Sequence, residues 1–343
     1  MILDINSMQQ TYYDEYDSFC YQNCIRQILE WFQVNNAKFY INTSLCLTLK
    51  KQQDNEYNID DDNARNVLPK YKDKIMRYYP SDKNKYEVWK ENLEKLKSGV
   101  PIITGVDSYY LKHLPYFKKS HGIHTVILAG YSLENNKVNI IDWFAPWFFK
   151  GSEDFENYIE ARDSENIFDG GIFSGLPIMN NWAEIDNNGW NTDIMELIHS
   201  NIDLSINQYY LENESKDNCS KGIYALREVL NILEGIKLLD IEEKKKALKK
   251  LYYNLYGVVK RKVFFRHFLD NAYFATNIEQ FNDSKIFITE IINGWEELLN
   301  VVMKGAFRCK DETLLKISEK LLRIIENEEE FYEHMIKLSN ILK

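Results

Sequence analysis

The sequence predicts an α+β protein: a domain over residues 1–190 in which a cysteine-bearing helix packs on an antiparallel sheet, then an all-helical domain over 191–343. Three observations carry this. Ile25, Ile28, Leu29 and Phe32 repeat at i, i+3, i+4, i+7, which puts one apolar face on a helix with Cys20 at its N-terminal end. Three short apolar runs follow, Val100–Val106, His124–Tyr131 and Val138–Asp142, with the length and composition of strands. From about Asp193 onward the apolar spacing is helical throughout, as in Leu226, Val229, Leu230 and Leu233, then Ile288, Ile291, Ile292, Trp295 and Leu299, then Leu314, Ile317, Leu321 and Ile324.

Between these landmarks the chain reads as follows. Lys50–Asn66 is polar, with an acidic cluster at Asp60–Asp62, and is expected as a solvated loop with short helical pieces. Val88, Trp89, Leu93 and Leu96 mark a helix over Tyr86–Lys97, which Ser98-Gly99 ends. Glu134-Asn-Asn-Lys137 is a polar turn of hairpin length, so the second and third apolar runs pair antiparallel and bring His124 close to Asp142. The aromatic stretch Trp-Phe-Ala-Pro-Trp-Phe-Phe-Lys-Gly after Asp142 is expected as a loop that fills the core or walls a pocket. Glycines and asparagines over Gly170–Gly189 suggest irregular structure and a domain boundary. No repeat of fixed period occurs, and the Glu-Glu-Lys-Lys-Lys run at 242–246 reads as a solvated face.

Composition narrows the function. A chain of 343 residues that is 45% hydrophobic and 14% aromatic has enough apolar surface for a sizeable core. Its formal net charge of −10 disfavours nucleic acid or an anionic membrane as the main partner, since both require a basic footprint. Five cysteines at positions 20, 24, 46, 219 and 309 encode neither a disulfide framework nor a zinc site, and suit a reducing cytoplasm. The opening Met-Ile-Leu-Asp-Ile-Asn lacks the basic and apolar regions of a secretory signal, and no run of eighteen apolar residues occurs. A soluble, cytoplasmic protein is expected.

The N-terminal end of a helix is where a thiolate is easiest to make, because free N–H groups and the helix dipole stabilise S⁻. A cysteine nucleophile also needs a base, and the base a third group to orient it. Cys20, His124 and Asp142 fill those roles. Cys24 competes as nucleophile, although its side chain falls on the face of Ile28 and suits packing. His121 competes as base; a residue that opens the apolar run is better aimed at its partner, which favours His124. A metal site from Cys20, Cys24, His121 and His124 matches no familiar zinc spacing, so no metal is assigned. His113, His199, His267 and His334 have no cysteine or carboxylate pattern near them and read as surface or satisfied core.

Together these residues resemble a family. Cys20-x4-Ile25-Arg26-x2-Leu29, Gly99-Val-Pro-Ile with Val106-Asp107-x-Tyr109-Tyr110-Leu111, His124-x-Val-Ile-Leu-x-Gly130-Tyr131 and Val138-x-Ile-Ile-Asp142 resemble the N-terminal domain of butirosin biosynthesis protein H and its relatives. These are papain-like proteins similar to bacteriocin-processing peptidases. Gly222-x2-Ala225-Leu226, Phe265-Arg266-x2-Leu269, Trp295-x2-Leu298 and Glu328-Glu329 resemble the helical domain that follows in many relatives.

The resemblance implies a cysteine acyltransferase or amide synthase of natural-product biosynthesis. Cys20 is then the nucleophile, His124 the acid/base and Asp142 the orienter. The acyl donor is a thioester on an acyl or peptidyl carrier protein, and the acceptor a small-molecule amine. The protein itself needs no cofactor, the phosphopantetheine belonging to the carrier. Tyr109, Tyr110, Trp143 and Trp147 are candidates for substrate binding and for excluding water. Lys112, Lys118 and Lys119 are candidates for a basic patch that docks the acidic carrier, and a homodimer is a further candidate assembly. Papain-like peptidases carry an oxyanion-stabilising Gln about six residues before the cysteine, whereas position 14 here is Asp. A thioester needs less such help than an amide, which suits a transferase. The alternatives are a cysteine peptidase or amidohydrolase with the same triad, and an inactive papain-like binding module.

Overall fold

The structure, a computed structural model, describes residues 19–45, 47–51, 57–60, 67–80, 82–144, 147–169, 173–211 and 219–343. In chain order its elements are α1 (Cys20–Trp31), α2 (Ala37–Tyr40), β1 (Thr48–Lys51), β2 (Tyr57–Asp60), β3 (Ile75–Tyr78), α3 (Lys85–Lys97), β4 (Ile102–Asp107), β5 (Ile123–Ser132), β6 (Lys137–Phe144), β7 (Trp147–Asp154), α4 (Phe155–Asp163), β8 (Trp182–Ile185), α5 (Ile194–Tyr210), β9 (Cys219–Lys221), α6 (Gly222–Lys237), α7 (Ile241–Thr276), α8 (Glu279–Arg308) and α9 (Asp311–Leu342). The fold is α+β with antiparallel sheets and a helix ahead of them. The chain divides into two units, one of Met1–Ile41 with Asn66–Asn191, the other of Asn42–Arg65 with Thr192–Lys343.

The first unit is built on a six-stranded antiparallel sheet in the order β3-β8-β4-β5-β6-β7. Side chains alternate across a strand, so Ile102 and Val106, Val126 and Leu128, and Val138 and Ile140 share one face. They form one buried core with Val88, Trp89 and Leu96 of α3 and Phe155, Tyr158 and Ile159 of α4. His124 and Asp142 have the same parity and so leave the sheet on that face. The helix α3 starts on a capping box, Asn84 accepting from the Tyr86 and Glu87 N–H groups while Glu87 accepts from the Asn84 N–H. Gly99 ends it at φ +83°, a left-handed conformation that glycine adopts without a Cβ clash. Helix α1 lies against β5 and buries Ile25, Ile28 and Leu29 completely.

The β5–β6 hairpin turns after Ser132↔Lys137 and keeps register back to Ile127↔Ile141, with one extra residue on β5 between Leu128 and Gly130. Two expectations are corrected here. The aromatic stretch after Asp142 is strand on both sides, with β6 running to Phe144 and β7 beginning at Trp147 in register Phe144↔Trp147. The Gly170–Gly189 segment also contains β8, which pairs with β3 and β4.

The second unit holds α5–α9 and a small antiparallel sheet in the order β2-β1-β9. That sheet corrects two readings. Part of the polar Lys50–Asn66 stretch is strand rather than loop or helix, and the chain after 193 is not helical throughout, since Cys219–Lys221 pairs with Thr48–Lys50. This pairing is why Asn42–Arg65 groups with the helices. The apolar stripes read from sequence on α6, α8 and α9 are buried, Leu230 only by half. Among the described residues, no helix is long and apolar enough to cross a membrane.

Candidate active site

Cys20 is the first residue of α1 and is half-buried. Phe19 caps the helix with no side-chain hydrogen bond, and the first intrahelical bond runs from the Asn23 N–H to the Phe19 carbonyl. The sulfur therefore sits at the positive end of the helix dipole. It lies close enough to the ring of His124 for the two groups to shift each other's protonation. His124 Nε2 lies 2.8 Å from Asp142 Oδ1, which leaves Nδ1 for the sulfur. The three residues that sequence singled out, from a helix start and two paired strands, are thus brought together, with His124 hydrogen-bonded to Asp142.

The electrostatics follow from burial and from the pairing. Burial pushes the Cys20 thiol up, but the His124 hydrogen bond and charge, aided by Thr125, outweigh it and hold the thiol below its ordinary value. Burial pushes His124 down, yet the Asp142 charge and hydrogen bond and the Cys20 partner raise it to about 10. Burial raises Asp142, and the charges and hydrogen bonds of His124 and His113 bring it below the usual carboxylate range. Each shift favours the charged form of its group: thiolate at Cys20, imidazolium at His124 and carboxylate at Asp142.

The competing assignments separate cleanly. Cys24 is buried, and its Sγ donates to the Thr125 carbonyl at 3.7 Å. Burial and the adjacent Cys20 and Asp142 charges push this thiol well up, so it stays protonated. His121 does not reach for the sulfur through Nδ1, which lies 2.7 Å from Asp107 Oδ2. Asp107 is completely buried and also accepts from the Tyr109 and Gly122 N–H groups and the Ser164 hydroxyl. This second histidine–carboxylate pair was legible only in halves, both residues having been noted but not joined.

Of the expected substrate-binding aromatics, Tyr109 and Tyr110 lie in the 3-10 turn Ser108–Tyr110 after β4 and are half-buried. The Tyr109 ring stacks on His121 at 4.3 Å and 8°, and Tyr110 meets Tyr109 edge-on at 5.1 Å. The side chains of Trp143 and Trp147 lie outside the described residues, as does Asp14. Of the three lysines expected to form a basic patch, Lys112 is paired with Asp154, and Lys118 and Lys119 are exposed.

Sequence reasoning missed two residues. His113, read as having no carboxylate near it, places Nε2 2.8 Å from Asp142 Oδ2, and its Nδ1 lies 3.8 Å from Glu153 Oε2. The five side chains run in the order Cys20, His124, Asp142, His113, Glu153. Among the described residues, no group of three or more His, Cys, Asp and Glu side chains is arranged to hold a metal ion. No protein-family model matches the chain, and no curated protein does.

Proposed function

We propose that the first unit is a papain-like cysteine acyltransferase that moves an acyl group from a carrier-protein thioester to an amine. The observation that carries this reading is the convergence of Cys20, at a helix N-terminus, on a His124 that is hydrogen-bonded to Asp142. The Cys20 thiolate attacks the thioester carbonyl, and the carrier thiol leaves with the proton of His124 Nδ1. The products of this half-reaction are a Cys20 thioester and a neutral imidazole. An amine then attacks the acyl-enzyme and gives its proton to His124, the C–S bond breaks, and the amide leaves. Thiolate and imidazolium are restored, so no other proton donor or oxidant is required.

Transfer is favoured over hydrolysis by the ease of the first step. A thioester has a good leaving group and asks less of an oxyanion hole than a peptide does, which suits a chain with Asp at position 14. The same unit would act in natural-product assembly in a cytoplasmic setting, with the helical unit as an accessory. The test is intact mass after incubation with a panel of acyl pantetheine thioesters, followed by amines. The wild type gains the acyl mass and loses it faster as amine is added; Cys20→Ala gains none. Release at a rate independent of amine would instead make the protein a thioester hydrolase or peptidase. No acylation, together with a Cys20 inert to alkylation at pH 6, would make it a binding module.

A further inference from the structure

We propose that His113 is a positioning residue: an imidazolium clamped between Asp142 and Glu153 that occupies the second oxygen of Asp142 and thereby sets how strongly that carboxylate draws on the His124 proton and the Cys20 charge. The inference rests on Cys20 being the nucleophile but not on what acyl group it takes.

The geometry is specific. Asp142 is 2% exposed and has two oxygens to satisfy away from water. One lies 2.8 Å from His124 Nε2 and the other 2.8 Å from His113 Nε2. The His113 side chain is itself only 6% exposed and is fixed on two further sides. Its ring stacks on Phe149 of β7 at 4.1 Å and 10°, and Nδ1 faces Glu153 Oε2 of the same strand. Glu153 is in turn fixed, accepting the Lys112 N–H at Oε2 and the Asp154 N–H at Oε1, both at 3.0 Å. A neutral surface histidine needs none of this. A buried one hydrogen-bonded to one carboxylate and 3.8 Å from a second is favoured in its charged form.

The anions that face the ring favour its charged form, against the opposing charge of His124 across Asp142. His124 on β5 is the far partner of Asp142; Asp142 on β6 and Glu153 on β7 are the near anions. Lys112, on the loop that carries His113, is occupied by Asp154, which Lys137 of β6 also approaches. Burial lowers His113, while the hydrogen bond to Asp142 and the charges of Asp142 and Glu153 raise it, and the net direction is up. Glu153, pushed up by burial, is brought down by His113 and by backbone N–H groups.

The sign of the effect is fixed by charge alone. A cation beside the site favours loss of a proton from each group, so both the thiol of Cys20 and the imidazolium of His124 should titrate at higher pH without His113. His113→Gln keeps a donor for Asp142 and deletes only the charge. The rate of Cys20 alkylation by iodoacetamide, read by peptide mass from pH 4 to 10, follows the thiolate without any acyl substrate. For His113→Gln the inflection of that profile moves up by about one pH unit, roughly a tenfold slower reaction on the acidic side that converges with wild type above the inflection. Glu153→Gln removes an anion from the same row without touching the histidine and, by the same charge argument, moves the inflection the opposite way by less, which keeps the test usable should His113→Gln not fold. Profiles of a folded variant that superimpose on wild type overturn the proposal. A wild type that transfers no acyl group but shows these shifts sinks the proposed function and leaves this inference standing; a wild-type Cys20 with an ordinary thiol profile sinks both.

Discussion

Each unit buries a set of opposed charges, and the two sets differ at their ends. In the helical unit Lys262 and Glu328 are 6% and 3% exposed, with Lys262 Nζ 2.8 Å from Glu328 Oε1. The same oxygen accepts the Trp295 indole N–H at 2.7 Å, and the ammonium lies 5.7 Å from the Trp295 ring. That set closes on itself, and none of its members is a nucleophile. In the first unit the alternating charges end on a half-buried sulfur. Buried ion pairs are common structural devices and say little about chemistry. What separates the two is that one row of charge ends on a cysteine at a helix start and the other closes on itself.

The sharpest way to break the comparison is at His124. His124→Gln removes the cation that makes the thiolate, and acyl-enzyme formation should fall about 10³-fold, within the range usual for a lost general acid–base, while urea unfolding shows a folded protein. A loss of less than about tenfold would mean the sulfur does not depend on the imidazole. In the helical unit the expectation reverses. Glu328→Ala strands a buried ammonium and should cost about 3–5 kcal/mol of unfolding free energy, leaving Cys20 alkylation unchanged; replacing both residues, as Lys262→Met with Glu328→Leu, should be far milder. A third, smaller effect sharpens the pH behaviour. Because His124 is raised to about 10, its contribution to stability is fully present below its ordinary value of 6.5 and is lost as pH rises through about 10. Asp142 is lowered, so its contribution is present above the ordinary carboxylate range and is lost as acid protonates it. In Asp142→Asn the alkaline fall in both acyl-enzyme formation and stability should move down by one to a few pH units, of the order an adjacent countercharge supplies.

The parts of the molecule legible in sequence are those set by local periodicity. The stripes Leu226, Val229, Leu233 and Ile288, Ile291, Ile292, Trp295 bury as their spacing requires. The turn at 134–137 fixes the hairpin, and the hairpin brings His124 to Asp142. What escaped has a physical reason in each case. Strands β1 and β9 read Thr-Leu-Lys-Lys and Cys-Ser-Lys, too short and polar to alternate. The run of aromatics across β6 and β7 masks the period of two, so it looked like a loop. His113 lies in an irregular segment and meets a carboxylate 29 residues away, a contact that only the sheet creates.

Asp107 has one more bearing on how such a protein can change. The segment between β4 and β5 leaves that carboxylate at the Tyr109 N–H and returns to it at the His121 ring and the Gly122 N–H. Both ends of the loop are therefore stapled to a single anchor, and its middle, at His113, is stapled to Asp142. Lengthening a flexible loop costs only about 0.6 kcal/mol per doubling once its ends are fixed. The exposed turn at Pro115 and Tyr116 can thus accept insertions without disturbing the carboxylates that anchor the loop.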